Sequence, residues 1–298
     1  MPVIEIPSLP FPPADMFFQL TDAQLRSRQE PEKGLLITEG PRVTRTALER
    51  GLTPVALLMR KKMIGAEGAD LSARCADIPV FTADDETLSA LTGFKLQRSW
   101  VLGAFRRPPE KTVREAIAGA RRVAVLEGIN EPSNVGAIFR SAAALGADAV
   151  LLTPDCCDVW HRRSVRVCMG AAFFVPWART DEKRGFLELR EAGFRTVGFA
   201  LRDSSLELDD PKLRAADKLA VYLGTEDSGL REDTVRQCDD VVRIPMARGI
   251  DSLNVAACAA VAFWALRPSQ GGLASPLRDP PTDFPFAPSV LPDGKSAR

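Results

Sequence analysis

Between residues 122 and 266 short apolar runs alternate with longer stretches of helical spacing, and this alternation limits the chain to few architectures. Strands are predicted at 122–126, 148–152, 173–176, 196–201, 220–223 and 241–244. Helical patterns fall between or after them, at 134–145, 161–170, 185–192, 231–238 and 252–266. The strand runs are predominantly apolar and read as buried, so both faces of the sheet must be covered. Strands separated by helices then give a largely parallel sheet with helices on both faces.

A smaller α/β unit is predicted ahead of it. Thr21 is placed to cap a helix through Arg28. Strands are expected at 34–38, 55–59, 78–81 and 99–103, with a helix at 41–50 opened by Pro41. Another helix, at 84–91, has acidic residues in its first turn and ends at Gly93. The expected organisation is an arm at 1–19, a small domain at 20–106, a linker at 107–120, a larger domain at 121–267, and a disordered tail at 268–298 rich in Pro, Gly, Ser and Asp.

Composition excludes more than it selects. The 298 residues are 45% hydrophobic and 26% charged, enough for a substantial core. No apolar run approaches the roughly 20 residues of a membrane span. Met1-Pro2-Val3-Ile4-Glu5 lacks the basic end and apolar stretch of a secretory signal, so the expected location is the cytoplasm. Cys75, Cys156, Cys157, Cys168, Cys238 and Cys258 form no C-x-x-C pair and share no ligand spacing with the single histidine, His161; reduced thiols and no metal site are expected. A formal net charge of zero argues against non-specific coating of nucleic acid. Structured RNA stays open as a partner, because phosphate contacts need only local basic clusters such as Arg162-Arg163 with Arg166.

Three polar segments follow apolar runs. The first, Asn130-Glu131-Pro132-Ser133-Asn134-Val135-Gly136-Ala137-Ile138-Phe139-Arg140, lies beyond the carboxyl end of a predicted parallel strand, where open α/β sheets place ligands. Asn134 is a candidate helix cap, and Arg140 either lies on the wet face or enters a pocket. The second, Gly224-Thr225-Glu226-Asp227-Ser228-Gly229-Leu230, has glycines flanking Glu226. No Walker lysine follows and Glu226 would repel phosphate, so a main-chain site for a neutral purine fits better than one for a pyrophosphate. The third runs from Ile244-Pro245-Met246 to Asp251-Ser252-Leu253-Asn254-Val255-Ala256 and opens an apolar helix. Ser252 suits the cap there, and Asn254 is harder to explain as structure alone.

In order and spacing these segments resemble the three motifs of the SpoU (TrmH-like) family of RNA 2′-O-ribose methyltransferases. The resemblance covers 122–266 and extends to Ser141-Ala142-Ala143-Ala144-Leu145-Gly146-Ala147-Asp148-Ala149-Val150. A weaker one, at 34–105, is to the RNA-substrate-binding domain that precedes the catalytic domain in many members. The resemblance implies a parallel sheet whose C-terminal part is threaded into a trefoil knot, a homodimer, and S-adenosylmethionine as cofactor.

By the same resemblance Asn134, Arg140, Ser252 and Asn254 match active-site positions. The cofactor pocket is expected from Leu223, Gly224, Thr225, Glu226, Gly229, Ile244, Met246 and Leu253. Arg163 and Arg166 are expected to contact RNA. Cys168 stands where the family often has Ser, and Thr225 where many relatives carry Asn. The expected substrate is ribosomal RNA, with tRNA, or a non-catalytic RNA-binding role on the same fold, as alternatives.

Overall fold

A computed structural model describes residues 2–18, 23–24, 34–66, 68–93, 100–250 and 252–267. The helix expected from Thr21, the tail at 268–298 and Asp251 lie outside the described residues, apart from two helical residues, Ala23 and Gln24.

The first sheet has five strands: β1 (Val3–Glu5), β2 (Leu35–Glu39), β3 (Pro54–Met59), β4 (Val80–Thr82) and β5 (Val101–Arg106). Their order is β1-β4-β3-β5-β2, with β5 antiparallel to both of its neighbours. The residues expected as an arm differ from that reading. β1 pairs in parallel with β4, and the 3-10 turn Pro12–Phe17 buries Ala14 and Phe17 against the sheet. Prolines hide this from sequence periodicity, yet an edge strand bonds on one side only and tolerates them.

The second sheet is parallel throughout. It contains β6 (Arg122–Leu126), β7 (Ala149–Leu152), β8 (Trp177–Arg179), β9 (Arg195–Phe199), β10 (Leu206–Glu207), β11 (Leu219–Leu223) and β12 (Asp240–Arg243). The order is β10-β12-β9-β11-β6-β7-β8. Helices Pro132–Leu145, Arg162–Cys168 and Val255–Ala265 contribute to the core on one face; Val113–Ala116, Glu182–Glu191 and Glu232–Gln237 contribute to the other. The α/β class and the parallel, two-faced sheet agree with the sequence pattern. The strand expected at 173–176 instead begins at Trp177, after a 3-10 turn Ala171–Phe173. Pro176 cannot donate to a ladder, and Phe173 stacks on Trp160 with ring centroids 5.8 Å apart.

The stretch expected as a linker is structured. Thr112 and Glu115 form a capping box, and Val113, Ala116 and Ile117 are buried against the second sheet. The two sheets share one core, in which Leu36, Val43, Ala47 and Phe105 join Val165, Cys168 and Trp160. Polar ties reinforce the seam. Arg107 donates to Asp158 at 2.5 Å, and Glu39 receives Arg162 at 2.5 Å and Arg166 at 3.0 Å. Gly136 lets two helices touch here: a Cβ would stand 2.6 Å from the Ser164 carbonyl oxygen.

Candidate active site

β9, β11 and β12 lie in the same half of the sheet, and their carboxyl ends feed the loops around a cavity of about 390 Å³. That size is ordinary for a small-molecule site. Leu223, Gly224, Thr225, Glu226, Gly229, Ile244, Met246, Ser252 and Leu253 all line it, so nine residues singled out from the second and third segments share one cavity. Phe199, the last residue of β9, and Ala200, Leu201 and Arg202 beyond it complete a wall that the three motifs did not include.

The loop after β11 is folded back on itself. Thr225 and Gly229 exchange main-chain hydrogen bonds of 3.0 and 3.1 Å, and the Thr225 and Ser228 hydroxyls lie 2.8 Å apart. A Cβ on Gly224 would fall 2.1 Å from the Gly229 carbonyl carbon, so no other residue fits without displacing backbone. Cys258 also lines the cavity. Burial pushes its thiol up to about 11, which keeps it protonated and a poor nucleophile at neutral pH.

At the rim, two asparagines meet. The N-cap of the helix Val255–Ala265 is Asn254, not Ser252: its Oδ1 accepts from the N–H groups of Ala256 and Ala257. With Oδ1 committed to the cap, Nδ2 points away and donates to Asn134 Oδ1 at 3.1 Å and to Glu226. Asn134 is likewise not the cap of its own helix. Glu131 takes that place, accepting from the Ser133 N–H, with Pro132 at the first helical position. Asn134 therefore sits inside the first turn, buried, with its side chain free to face the third segment.

The remaining candidates lie elsewhere. Arg140 is exposed on the Asn134 helix and is not part of the cavity lining, and among the described residues its guanidinium makes no hydrogen bond or ion pair. Arg163 and Arg166 are half-exposed and ion-paired, with Glu131 at 3.5 Å and Glu39 at 3.0 Å. His161 caps the helix Arg162–Cys168 through Nδ1. Cys168 is buried and donates to the Val165 carbonyl at 3.3 Å, and burial raises its thiol.

Sequence reasoning missed Glu127, whose buried carboxylate stands immediately after β6 and receives the Arg231 N–H at 2.6 Å and the Thr234 hydroxyl. No sequence signal marked it: a carboxylate just beyond a strand reads as an ordinary exposed loop residue, and its burial follows from partners more than a hundred residues away.

The parallel sheet, the glycine-bounded loop and the joined asparagines form the kind of cleft that binds a small ligand at strand carboxyl ends. The SpoU rRNA Methylase family matches residues 121–264. An uncharacterised tRNA/rRNA methyltransferase of Mycobacterium tuberculosis is 40% identical over 257 residues, covering 85% of this chain and 88% of the relative. The 23S rRNA (guanosine-2′-O-)-methyltransferase RlmB of a Burkholderia species is 32% identical over 196 residues, 64% of this chain and 78% of the relative. Among solved structures, the AdoMet-bound rRNA methyltransferase from Sinorhizobium meliloti superposes with a TM-score of 0.76 at 25% identity, covering 89% of this chain and 97% of that one. The chain belongs to the SpoU methylase family. Among the described residues no helix is long and apolar enough to cross a membrane.

Proposed function

We propose that this protein transfers a methyl group from S-adenosylmethionine to a ribose 2′-hydroxyl of ribosomal RNA. The observation that carries the reading is the Asn134–Asn254–Glu226 junction at the rim of the Gly224 cavity, in a chain whose relatives include RlmB, named as a 23S rRNA guanosine-2′-O-methyltransferase.

The residues present suit the cofactor. Leu223, Ile244, Met246 and Leu253 offer apolar walls for a purine, while main-chain groups around Gly224 and Leu253 supply donors and acceptors. Glu226 and Asp227 place carboxylates where a cationic ligand is favoured over a phosphate. When bound, S-adenosylmethionine supplies a methyl group activated by its sulfonium.

The chain's own residues have the harder task, because a ribose hydroxyl is a weak nucleophile and must lose its proton. Asn254 holds Glu226 and Asn134 in a fixed relation. Ser252 and Asn254 orient the hydroxyl. Arg140, with its guanidinium donors uncommitted, takes the neighbouring phosphate and favours the developing alkoxide. Arg163 and Arg166 extend phosphate contact along the seam toward the first sheet, which serves as the RNA-substrate-binding unit.

The trefoil knot and the homodimer belong to the same reading. Between β12 and its last helix the chain passes the β9 and β11 loops, and that helix packs on Pro132–Leu145 beside β6. The helix is apolar on every side, yet Val261 and Trp264 are 39% and 53% exposed, and with Ala257 they share one helical face. A second copy of the chain covers that face. The location that goes with this role is the cytoplasm.

Mapping of ribose methylation in rRNA and tRNA from cells with and without the gene tests the proposal. One rRNA ribose should lose its methyl group in the deletion; an unchanged rRNA map overturns the rRNA assignment, and loss at a tRNA site redirects it.

A further inference from the structure

Glu127 is 3% exposed and is not among the residues lining the cavity, but it touches both ends of the loop that forms one cavity wall. Its main-chain N–H donates to the Leu223 carbonyl at 2.9 Å, immediately before the loop. Its Oε1 accepts from the Arg231 N–H at 2.6 Å, immediately after it. Its Oε2 accepts from the buried Thr234 hydroxyl, which fixes the carboxylate's orientation.

Between those two anchors the loop's remaining ties are the hydrogen bond from Asn254 to Glu226 and the buried Leu230 side chain. Glu226, Asp227, Ser228 and Gly229 are exposed, and the internal bonds of Thr225 with Ser228 and Gly229 shape the loop without attaching it to the sheet. The Arg231 guanidinium adds a brace, reaching Asp155 at 2.5 Å and lying 3.8 Å from Glu127. Asp155 in turn accepts from Thr153, whose hydroxyl oxygen accepts from the Gly128 N–H at 3.0 Å. The ends of β6, β7 and β11 are thereby cross-tied, and β6 leads straight to Asn130 and the Asn134 helix.

We infer that Glu127 is a positioning residue for the cofactor: by holding both ends of the 224–230 loop it keeps the Gly224–Glu226 wall in its binding conformation before any ligand arrives. This rests on the reading of the Gly224 cavity as the S-adenosylmethionine site. A ligand that needs a conformation populated only a fraction of the time binds weaker by that fraction. Loosening the loop until one molecule in ten is competent weakens binding about ten-fold.

The test is isothermal titration of S-adenosylhomocysteine, a non-reacting probe, into the full chain. Glu127→Gln retains the size of the side chain but removes its charge and one of its acceptors, so an amide N–H₂ meets either the Arg231 N–H, a donor, or the Thr234 hydroxyl, which must then turn from donating to accepting; its Kd should rise about ten-fold or more. Thr234→Val, a milder change, should raise Kd several-fold and serves if Glu127→Gln fails to fold. Thr196→Val is the matched control. It removes a buried 2.8 Å hydrogen bond to Asp239 at the opposite ends of β9 and β12, and should lower the melting temperature without changing Kd. Hydrogen exchange without ligand should be faster at the Thr225 and Gly229 amides in Glu127→Gln. Wild-type binding with unchanged Kd in Glu127→Gln, or in Thr234→Val where that variant stands in, overturns the inference. So does an equal rise in Thr196→Val. Absence of wild-type binding overturns the cofactor reading itself.

Discussion

Asn254 Nδ2 lies 3.1 Å from Asn134 Oδ1, joining the first turns of two helices across 120 residues of sequence. The orientation is set by Asn254 Oδ1, which is occupied by the N–H groups of Ala256 and Ala257. One side chain thus terminates a helix and aligns two neighbours, so structural and functional contributions can be separated by choosing the substitution.

Asn254→Asp keeps an oxygen for the cap but loses both Nδ2 donors and sets a second carboxylate beside Glu226. Helix stability should hold while methyl transfer falls on the order of a hundred-fold, the cost of a small misplacement at a reacting centre. Asn254→Ala should show the same loss of activity plus about 1 kcal/mol of stability. Thermal melts and single-turnover methylation distinguish the two; full activity in Asn254→Asp would remove this residue from the machinery.

Arg140→Ala should leave S-adenosylmethionine affinity unchanged, since the residue is absent from the cavity lining. Turnover should drop by about 10² to 10³, the usual effect of removing a donor aimed at developing charge. Calorimetry paired with a methylation assay checks both halves. Equal turnover in wild type and variant refutes the role.

Trp264→Glu should convert a dimer into a monomer, because it replaces the largest apolar side chain of the Ala257–Val261–Trp264 face with a charge. Multi-angle light scattering reads the mass directly. A wild type that already runs as a monomer disposes of the dimer proposal. Arg267 lies 3.7 Å over the indole, so Arg267→Ala provides a milder perturbation of the same patch.

Asp240 supplies a pH dependence. Its hydrogen bond from Arg195, aided by Lys212, holds its carboxyl below the ordinary value of 3.8. A group whose folded value is depressed stabilises the protein fully above its unfolded value and loses that contribution as pH falls through the folded one. Wild type should therefore melt higher than Asp240→Asn near neutral pH, with the gap closing at pH values below 3.8. A gap independent of pH would assign the difference to packing.

Most of the second sheet was legible because largely buried parallel strands carry predominantly apolar runs, and β6, β7, β9, β11 and β12 were found to within two residues at either end. β10 was not, since two residues leave no pattern. Both functional helix starts were misjudged for one reason: Glu131, Ser133 and Asn134, like Ser252 and Asn254, offer several competent caps within one turn. Tertiary contacts chose Glu131 and Asn254. The cavity residues of the second and third segments were readable from motif order, whereas Glu127 and the β9 loop were not, because their roles exist only once strands distant in sequence become neighbours.

Phe105 comes from the first sheet yet is buried among residues of the second. Severing the chain between Arg107 and Thr112 would bare aromatic and aliphatic surface on each half, and strand the Arg107–Asp158 pair with one charge on either fragment. The halves would be expected to clump when made apart and to dissolve when made together. An RNA that engages both must match a spacing already built in, rather than one set by a tether.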